Sequence, residues 1–339
     1  MRPRLVLLVA ALAAGAAAGE PLPVVLFHGM GDSANSEGMT AVRERIVADT
    51  GAYVVSVYVG KPGDDVRSGF FGRVTEQLAG VCAEQLLSDP RLLASGFNAV
   101  GFSQGGLFLR ALAQTCDVRV HTLVTLGSPH GGVAQVPACS AGDGVFCKSV
   151  ARLVKSGAYT DAVQGSVVQA QYFRAANDEA AFLQHSLFLA AANNLLDAKN
   201  ATYAQRLAAL DRLVLFRFTD DATVVPRDSA WFAMQSGDEV VPLEEQELYA
   251  KGNDWLGLRA LHDSGRLTLA ECPGEHMRFT LDWFAENVIH PYLRDGSAPE
   301  TTSSSWLERA AASCASWLAT WRRSDEASAA PASRRVLRQ

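Results

Sequence analysis

The sequence predicts a mostly parallel α/β sheet with flanking helices and one helical insertion. Three observations carry that expectation. From Pro23 to about Leu293, short runs rich in Val, Ile, Leu and Phe alternate with longer stretches of helical spacing, the pattern of strands joined by crossover helices. Most of the short runs are apolar throughout, as strands covered on both faces must be. The composition, 48% hydrophobic and 19% charged over 339 residues, is enough to build a large core and is incompatible with disorder throughout.

Taken in order, the chain opens with Arg2 and Arg4 ahead of an apolar run from Leu5 to Ala18, and the small residues Ala16 and Ala18 flank a cleavage point. Residues 1–18 therefore read as a secretory signal peptide; Pro3 and the run of small residues argue against the alternative, a single anchoring helix. Removal of the two arginines takes the formal charge from −6 to −8. The body, residues 19–296, holds six strand candidates: Val24 to Phe27, Tyr53 to Val57, Asn98 to Phe102, Thr122 to Thr125, Leu213 to Phe218 and Leu267 to Glu271. Between Gly69 and Ser88, the residues Phe71, Val74, Leu78, Val81 and Leu86 approximate a helical stripe, with Cys82 near its end. Gly105 to Thr115 reads as a second helix ending near Cys116, so a bond between Cys82 and Cys116 would staple two crossover helices.

The alternation breaks at about residues 133–211, where a loop bounded by Cys139 and Cys147 leads into Ala-, Leu-, Val- and Phe-rich helical sequence. This is the helical insertion, and its apolar residues, among them Val163, Val168, Phe182, Phe188 and Leu189, are expected to give a minority of their number to a groove for an acyl chain. Asn200-Ala201-Thr202 is a glycosylation acceptor in a secreted chain. In the tail, residues 297–339, Ser, Thr, Ala and Pro dominate, yet Trp306, Ala310, Cys314, Trp317 and Trp321 share one helical face. An amphipathic helix there suits contact with a membrane surface, and Glu308 and Arg309 argue against spanning.

Function is read chiefly from Gly101-Phe102-Ser103-Gln104-Gly105, which follows a strand candidate and opens a helix. In that context Gly-x-Ser-x-Gly is a nucleophile elbow: the glycines let the chain turn sharply, so that Ser103 projects its hydroxyl above the sheet. An ordinary strand-to-helix turn with an incidental serine is the bland alternative. A serine needs a base and a group to orient it, in the chain order Ser, Asp or Glu, His. Leu213 to Phe218 runs into Asp220 and Asp221, and Leu267 to Glu271 runs into His276, both just beyond the carboxyl ends of strands, where open parallel sheets bind ligands. His276 is the preferred base and Asp221 its partner, with Asp220 a rival because adjacent residues at a strand end point different ways. His28, His121, His130, His185, His262 and His290 are excluded by chain order or read as packing or surface residues. After the first strand, His28-Gly29-Met30-Gly31 is placed to lend the Met30 amide to an oxyanion hole whose second donor is the Gln104 amide. There is no Cys-x-x-Cys pair, no His-Glu-x-x-His, no phosphate loop and no dinucleotide fingerprint, so no metal and no cofactor is expected. With 30 Lys and Arg against 36 Asp and Glu and no basic block in the body, nucleic acid is not an expected partner.

With these residues in place, the chain resembles the palmitoyl-protein thioesterases, and among them the lysosomal type 1 branch, over about Pro23 to Leu293. The resemblance rests on Gly101-Phe102-Ser103-Gln104-Gly105-Gly106, His28-Gly29-Met30-Gly31-Asp32-Ser33, Gly157-Ala158-Tyr159 through Gln164, Gln169-Ala170-Gln171-Tyr172, Val241-Pro242-Leu243, Leu248-Tyr249, Leu256-Gly257-Leu258 and Gly274-Glu275-His276. It implies an α/β-hydrolase fold, Ser103 as nucleophile, Asp221 rather than Asp220 as the orienting acid, and His276 as base. It also implies the disulfides Cys82–Cys116 and Cys139–Cys147. The chain departs from the animal members at Ala34-Asn35, where they carry adjacent cysteines. The activity implied is hydrolysis of long-chain fatty acyl thioesters from S-acylated cysteines of proteins or peptides. A secreted lipase or carboxylesterase, and a hydrolase-fold lipid-binding protein without turnover, are the alternatives. The signal peptide implies the secretory pathway; the resemblance adds the lysosome, with the extracellular space as the other destination.

Overall fold

The structure is a computed structural model that describes residues 20–135 and 157–294. The expected signal peptide, the Cys139–Cys147 pair, Cys314 and the amphipathic tail lie outside the described residues. In chain order the elements that position the site are β1 (Val24–Phe27), α1 (Glu37–Thr50), β2 (Val54–Val57), α2 (Val74–Gly80), α3 (Pro90–Ser95), β3 (Phe97–Phe102), α4 (Gln104–Thr115) and β4 (Val120–Leu126). They continue with α5 (Asp161–Gln164), α6 (Glu179–His185), α7 (Leu189–Ala192), α8 (Ala201–Ala208), β5 (Arg212–Phe218), the short strands β6 (Met234–Ser236) and β7 (Glu239–Val241), α9 (Leu258–Asp263), β8 (Leu267–Cys272) and α10 (Leu281–Phe284).

All six expected strands are present, and they form one parallel sheet in the order β2-β1-β3-β4-β5-β8. Strand side chains alternate between two cores. Val25, Phe27, Ala99, Leu123, Leu213 and Leu215 pack on one face with α4 and the insertion. Val24, Leu26, Val100, Val124, Val214 and Phe216 pack on the other with α1 and the helical segment from Phe284 to Leu293. Burial on both faces is why the strand runs carry no polar alternation. Chain progression reverses between β2 and β3, which sets the carboxyl ends of β1 and β3 side by side at the switch point where such sheets bind ligands. This is the α/β-hydrolase arrangement.

Helix α1 was not legible as an element, because only Met39, Val42 and Ile46 of its 14 residues are buried. Its ends follow local rules: Ser36 Oγ accepts from Met39 N at 3.2 Å, and Gly51 closes it at φ 71°. The stripe expected between Gly69 and Ser88 is α2 followed by a π-helical turn over Val81–Leu86, which adds a residue per turn and brings Val81, Cys82 and Leu86 inward. That turn carries Cys82 to Cys116 at the end of α4, and the two form a disulfide with Cα atoms 5.7 Å apart. The described part of the insertion is a set of short helices, the longest being the eight residues of α8. The β6–β7 hairpin, turning at Gly237 (φ 58°), was also not expected; its strands have three residues each and bury none of them. Among the described residues no helix is long and apolar enough to cross a membrane.

Candidate active site

Between β3 and α4 the chain turns at Ser103, whose backbone is at φ 51° and ψ −123°. A residue with a Cβ is strained there by about 1–3 kcal/mol, and the surroundings hold it: Ser103 N donates to Leu126 O at 2.8 Å and Gly106 N donates to Ser103 O at 3.1 Å. The flanking glycines are required by contact between backbones. A Cβ on Gly101 would lie 2.3 Å from Gly106 Cα, and one on Gly105 would lie 2.3 Å from His28 O and 2.4 Å from Phe27 O. The turn can therefore be this tight, and α4 can sit this close to β1, only with glycine at both positions.

Beyond the ends of β5 and β8 stand the other two expected residues. His276 Nε2 is 2.9 Å from Ser103 Oγ, and His276 Nδ1 is 2.6 Å from Asp221 Oδ2. The Asp221 side chain is 1% exposed, and its Oδ1 accepts from Thr223 N at 2.8 Å and Val224 N at 2.9 Å. These bonds stabilise the carboxylate and fix its rotamer. Asp220 is exposed and among the described residues its side chain meets Thr219 Oγ1 at 3.4 Å, so the structure brings Asp221, not its neighbour, to the imidazole. The close approach of His276 also depends on Gly127 (φ 58°), where a Cβ would lie 3.0 Å from His276 Cε1, Met277 Cε and Phe218 Cδ2. Nothing local in the sequence marks Gly127 for that duty.

The loop after β1 lies against the elbow: a Cβ on Gly29 would be 3.3 Å from Ser103 Cβ, and Met30 shares a cavity with Ser103 and His276. Asp65 anchors this loop, its Oδ2 accepting from Ala34 N at 2.8 Å and lying 3.7 Å from His28 Nε2. On the other side of the elbow Gln104 begins α4, and its side chain is buried. A serine hydroxyl bonded to an imidazole whose far nitrogen meets a buried carboxylate can transfer its proton on attack. Amides at a helix start and a facing loop can receive the oxyanion that results.

The cavity that opens on Ser103 has a volume of about 430 Å³. Its walls are mainly apolar: Met30, Met39, Val42, Phe102, Phe279 and Leu281. No described insertion residue is among those that line this cavity, although Val163, Val167 and Ala170 belong to an apolar cluster that packs on Met30, which does line it. Val168, Phe182, Phe188 and Leu189 are at most 1% exposed and are spent in the core around α4. The apolar wall comes from the loop after β1, the end of β3, α1 and the segment after His276.

The remaining histidines are held elsewhere. His121 lies between Asp211 Oδ2 (2.6 Å) and Ser95 O (2.8 Å), His262 meets the Tyr249 hydroxyl, and His290 is 3.3 Å from Asp49. His130 is fully buried, bonded to Arg110 Nε (3.2 Å) and Thr125 Oγ1 (2.9 Å) and stacked on Phe232. Burial and the adjacent Arg110 push its pKa well below the usual imidazole value, so it is neutral. Arg110 itself, whose pKa burial lowers to about 9, also donates to Gln114 Oε1, Ala192 O and Asn193 Oδ1, tying α4 to the insertion. Among the described residues no group of His, Cys, Asp and Glu is arranged to hold a metal ion.

Comparison with known proteins agrees with the site. Palmitoyl-protein thioesterase 1 of Caenorhabditis elegans is 38% identical over 283 residues, covering 81% of this chain and 93% of that protein. Palmitoyl-protein thioesterase 3 of Dictyostelium discoideum is 32% identical, covering 80% of this chain and 92% of that protein. Lysosomal thioesterase PPT2 of Bos taurus is 27% identical, covering 80% and 87%. The family model described as palmitoyl protein thioesterase matches residues 23–276, a span that contains β1, the elbow, Asp221 and His276, and the chain belongs to that family.

Proposed function

We propose that the protein hydrolyses long-chain fatty acyl thioesters, releasing the fatty acid from S-acylated cysteines of proteins or peptides. The observation that carries this reading is the continuous Ser103–His276–Asp221 hydrogen-bond chain opening on an apolar cavity. Ser103 Oγ attacks the thioester carbonyl while His276 Nε2 takes its proton, and Asp221 holds the imidazole and stabilises the imidazolium. The Met30 and Gln104 amides receive the oxyanion. Collapse of the tetrahedral intermediate breaks the C–S bond, and the proton on His276 leaves with the thiol. Water, deprotonated by the same histidine, then attacks the acyl-Ser103 ester and frees the fatty acid. These steps need no cofactor.

The apolar wall supplies the acyl preference. Each methylene buried is worth about 0.8 kcal/mol, so a groove of this character favours long chains over acetyl. Family membership supports the thioester as the scissile bond, and the name of the Bos taurus relative supports the lysosome as destination. Asn200, which caps α8 by accepting from Thr202 N at 3.0 Å, is the proposed glycan acceptor, and the segment at residues 1–18 the proposed secretory signal. The tail, residues 297–339, is the proposed membrane-contact element.

The test is an assay of purified protein on thioester and oxoester substrates matched in acyl length, below their aggregation concentrations. Higher kcat/KM on the long-chain thioester is expected. A strong oxoester preference would make the protein a lipase or carboxylesterase, and no turnover of either would leave only lipid binding.

A further inference from the structure

We infer that Gln104, Gln169 and Tyr172 form a buried positioning cluster that fixes the two oxyanion-binding amides relative to each other. The inference rests on the proposed reaction and concerns side chains that take no part in its proton transfers.

The three side chains lie in the interior, at 3%, 2% and 5% exposure, where an apolar residue of similar size would serve packing as well. Polar groups there are costly unless bonded, about 1–3 kcal/mol for each left unmet. Among the described residues Gln169 Oε1 is left without a partner, and the bonds that the cluster does make are specific. Gln104 Oε1 accepts from both the Tyr172 hydroxyl (2.9 Å) and Gln169 Nε2 (3.0 Å), so both of its lone pairs are used. Gln104 Nε2 donates to Gly69 O at 3.1 Å, and Gln169 Nε2 donates to the same carbonyl at 2.7 Å. Burial pushes the Tyr172 hydroxyl above its usual pKa, so it is a neutral donor throughout the working range.

This arrangement reaches both sides of the oxyanion hole. Gln104 follows Ser103 directly, so clamping its side chain fixes the start of α4 and with it the Gln104 amide. Gly69, which both glutamines hold, packs on the opposite loop: a Cβ on Gly69 would lie 3.6 Å from Gly31 N as well as 3.6 Å from Gln104 Nε2. The next residue continues the contact, since a Cβ on Gly31 would lie 3.4 Å from Phe70 Cζ. Phe70 O in turn accepts from Val168 N at 3.0 Å, adjacent to Gln169. The path from the Gln104 amide to the loop carrying Met30 thus runs through Gly69 and Phe70, and the insertion residues Gln169 and Tyr172 brace it. An oxyanion hole works by holding its donors in place before charge develops. The described part of the insertion, none of which lines the Ser103 cavity, acts on catalysis through this brace.

Tyr172→Phe removes one oxygen and keeps the ring; Gln169→Met keeps length and removes both donor and acceptor. For each, kcat, KM, thermal midpoint and the affinity of an alkyl boronic acid, a tetrahedral mimic that forms on Ser103, are measured. Loss of an oxyanion donor costs 100- to 1000-fold, and loosening one is expected to lower kcat about tenfold. KM should stay within twofold and boronic-acid affinity should fall by the same factor as kcat. Unchanged kcat in both variants, a rise in KM alone, or a fall in kcat with undiminished boronic-acid affinity would overturn the inference. If wild-type protein turns over no acyl thioester, the proposed function itself fails; an active wild type with both variants equal to it sinks only the positioning cluster.

Discussion

Replacing Asp221 by Asn should leave the fold in place and reverse the polarity of the chain that activates Ser103. Asp221 Oδ1 accepts from Thr223 N and Val224 N at 2.8 and 2.9 Å, while Oδ2 faces His276 Nδ1 at 2.6 Å. Those two backbone donors require an acceptor, so the asparagine oxygen takes the Oδ1 position and its NH2 turns to His276. Nδ1 must then accept, which places the imidazole proton on Nε2, facing Ser103 Oγ. A histidine in that tautomer cannot take the serine proton. Where a serine hydrolase has been given this substitution, kcat drops about 10⁴-fold, equivalent to about 5.4 kcal/mol at 1.36 kcal/mol per tenfold. The assay is steady-state hydrolysis of a monomeric acyl thioester by wild type, Asp221→Asn and the exposed neighbour Asp220→Asn. A loss of about four orders in kcat, with KM little changed, is expected for the first and less than twofold for the second. A loss below tenfold in Asp221→Asn, or an equal loss in Asp220→Asn, would refute the tautomer argument.

Other parts of the structure give further expectations. Gly105→Ala places a methyl 2.3–2.4 Å from two β1-end carbonyl oxygens that cannot move aside; a loss of about 3 kcal/mol is expected by denaturant unfolding, and an unchanged midpoint would contradict the close approach of α4 to β1. Replacing both Cys82 and Cys116 by Ser opens a covalent loop of sequence separation 34 and should cost about 4 kcal/mol on the chain-entropy estimate. Stability equal to wild type would mean the bond constrains nothing. Wild-type kcat/KM should rise about fourfold per added methylene until the groove is full, and Val42→Trp should move that limit to shorter chains; an unaltered length profile would remove α1 from the acyl groove. Burial pushes the Cys272 thiol up to about 12, so peptide mapping after alkylation at pH 8 should find Cys272 unmodified in the native protein and modified only after unfolding.

The sheet and the elbow were legible because both are written in local sequence. Strands such as Val24–Phe27 and Leu213–Phe218 are apolar on both sides, and the Gly-x-Ser-x-Gly spacing is dictated by backbone contacts within a few residues of Ser103. Chain order and strand ends also brought Asp221 and His276 into view. What separates Asp221 from Asp220 is the direction of one side chain and two amides supplied by Thr223 and Val224, a choice made by the loop's path. The lining of the Ser103 cavity was not legible for a general reason: apolar residues at helical spacing read alike whether they pack the core or line a cavity. Phe182 and Phe188 do the first, while Met39 and Val42, sparse among the polar residues of α1, do both. Gly127 and the Gln104–Gln169–Tyr172 contacts join positions far apart in the chain, and no local pattern announces them.

The central claim is that Ser103 carries the acyl group between the two halves of the reaction. Rapid acid quench of the protein with a palmitoyl thioester, followed by mass spectrometry of its peptides, measures this directly. One palmitoyl group should appear on the peptide containing Ser103 during turnover, decay as fatty acid is released, and be absent in Ser103→Ala. Turnover with the acyl group on another residue, or undiminished turnover by Ser103→Ala, would contradict the account.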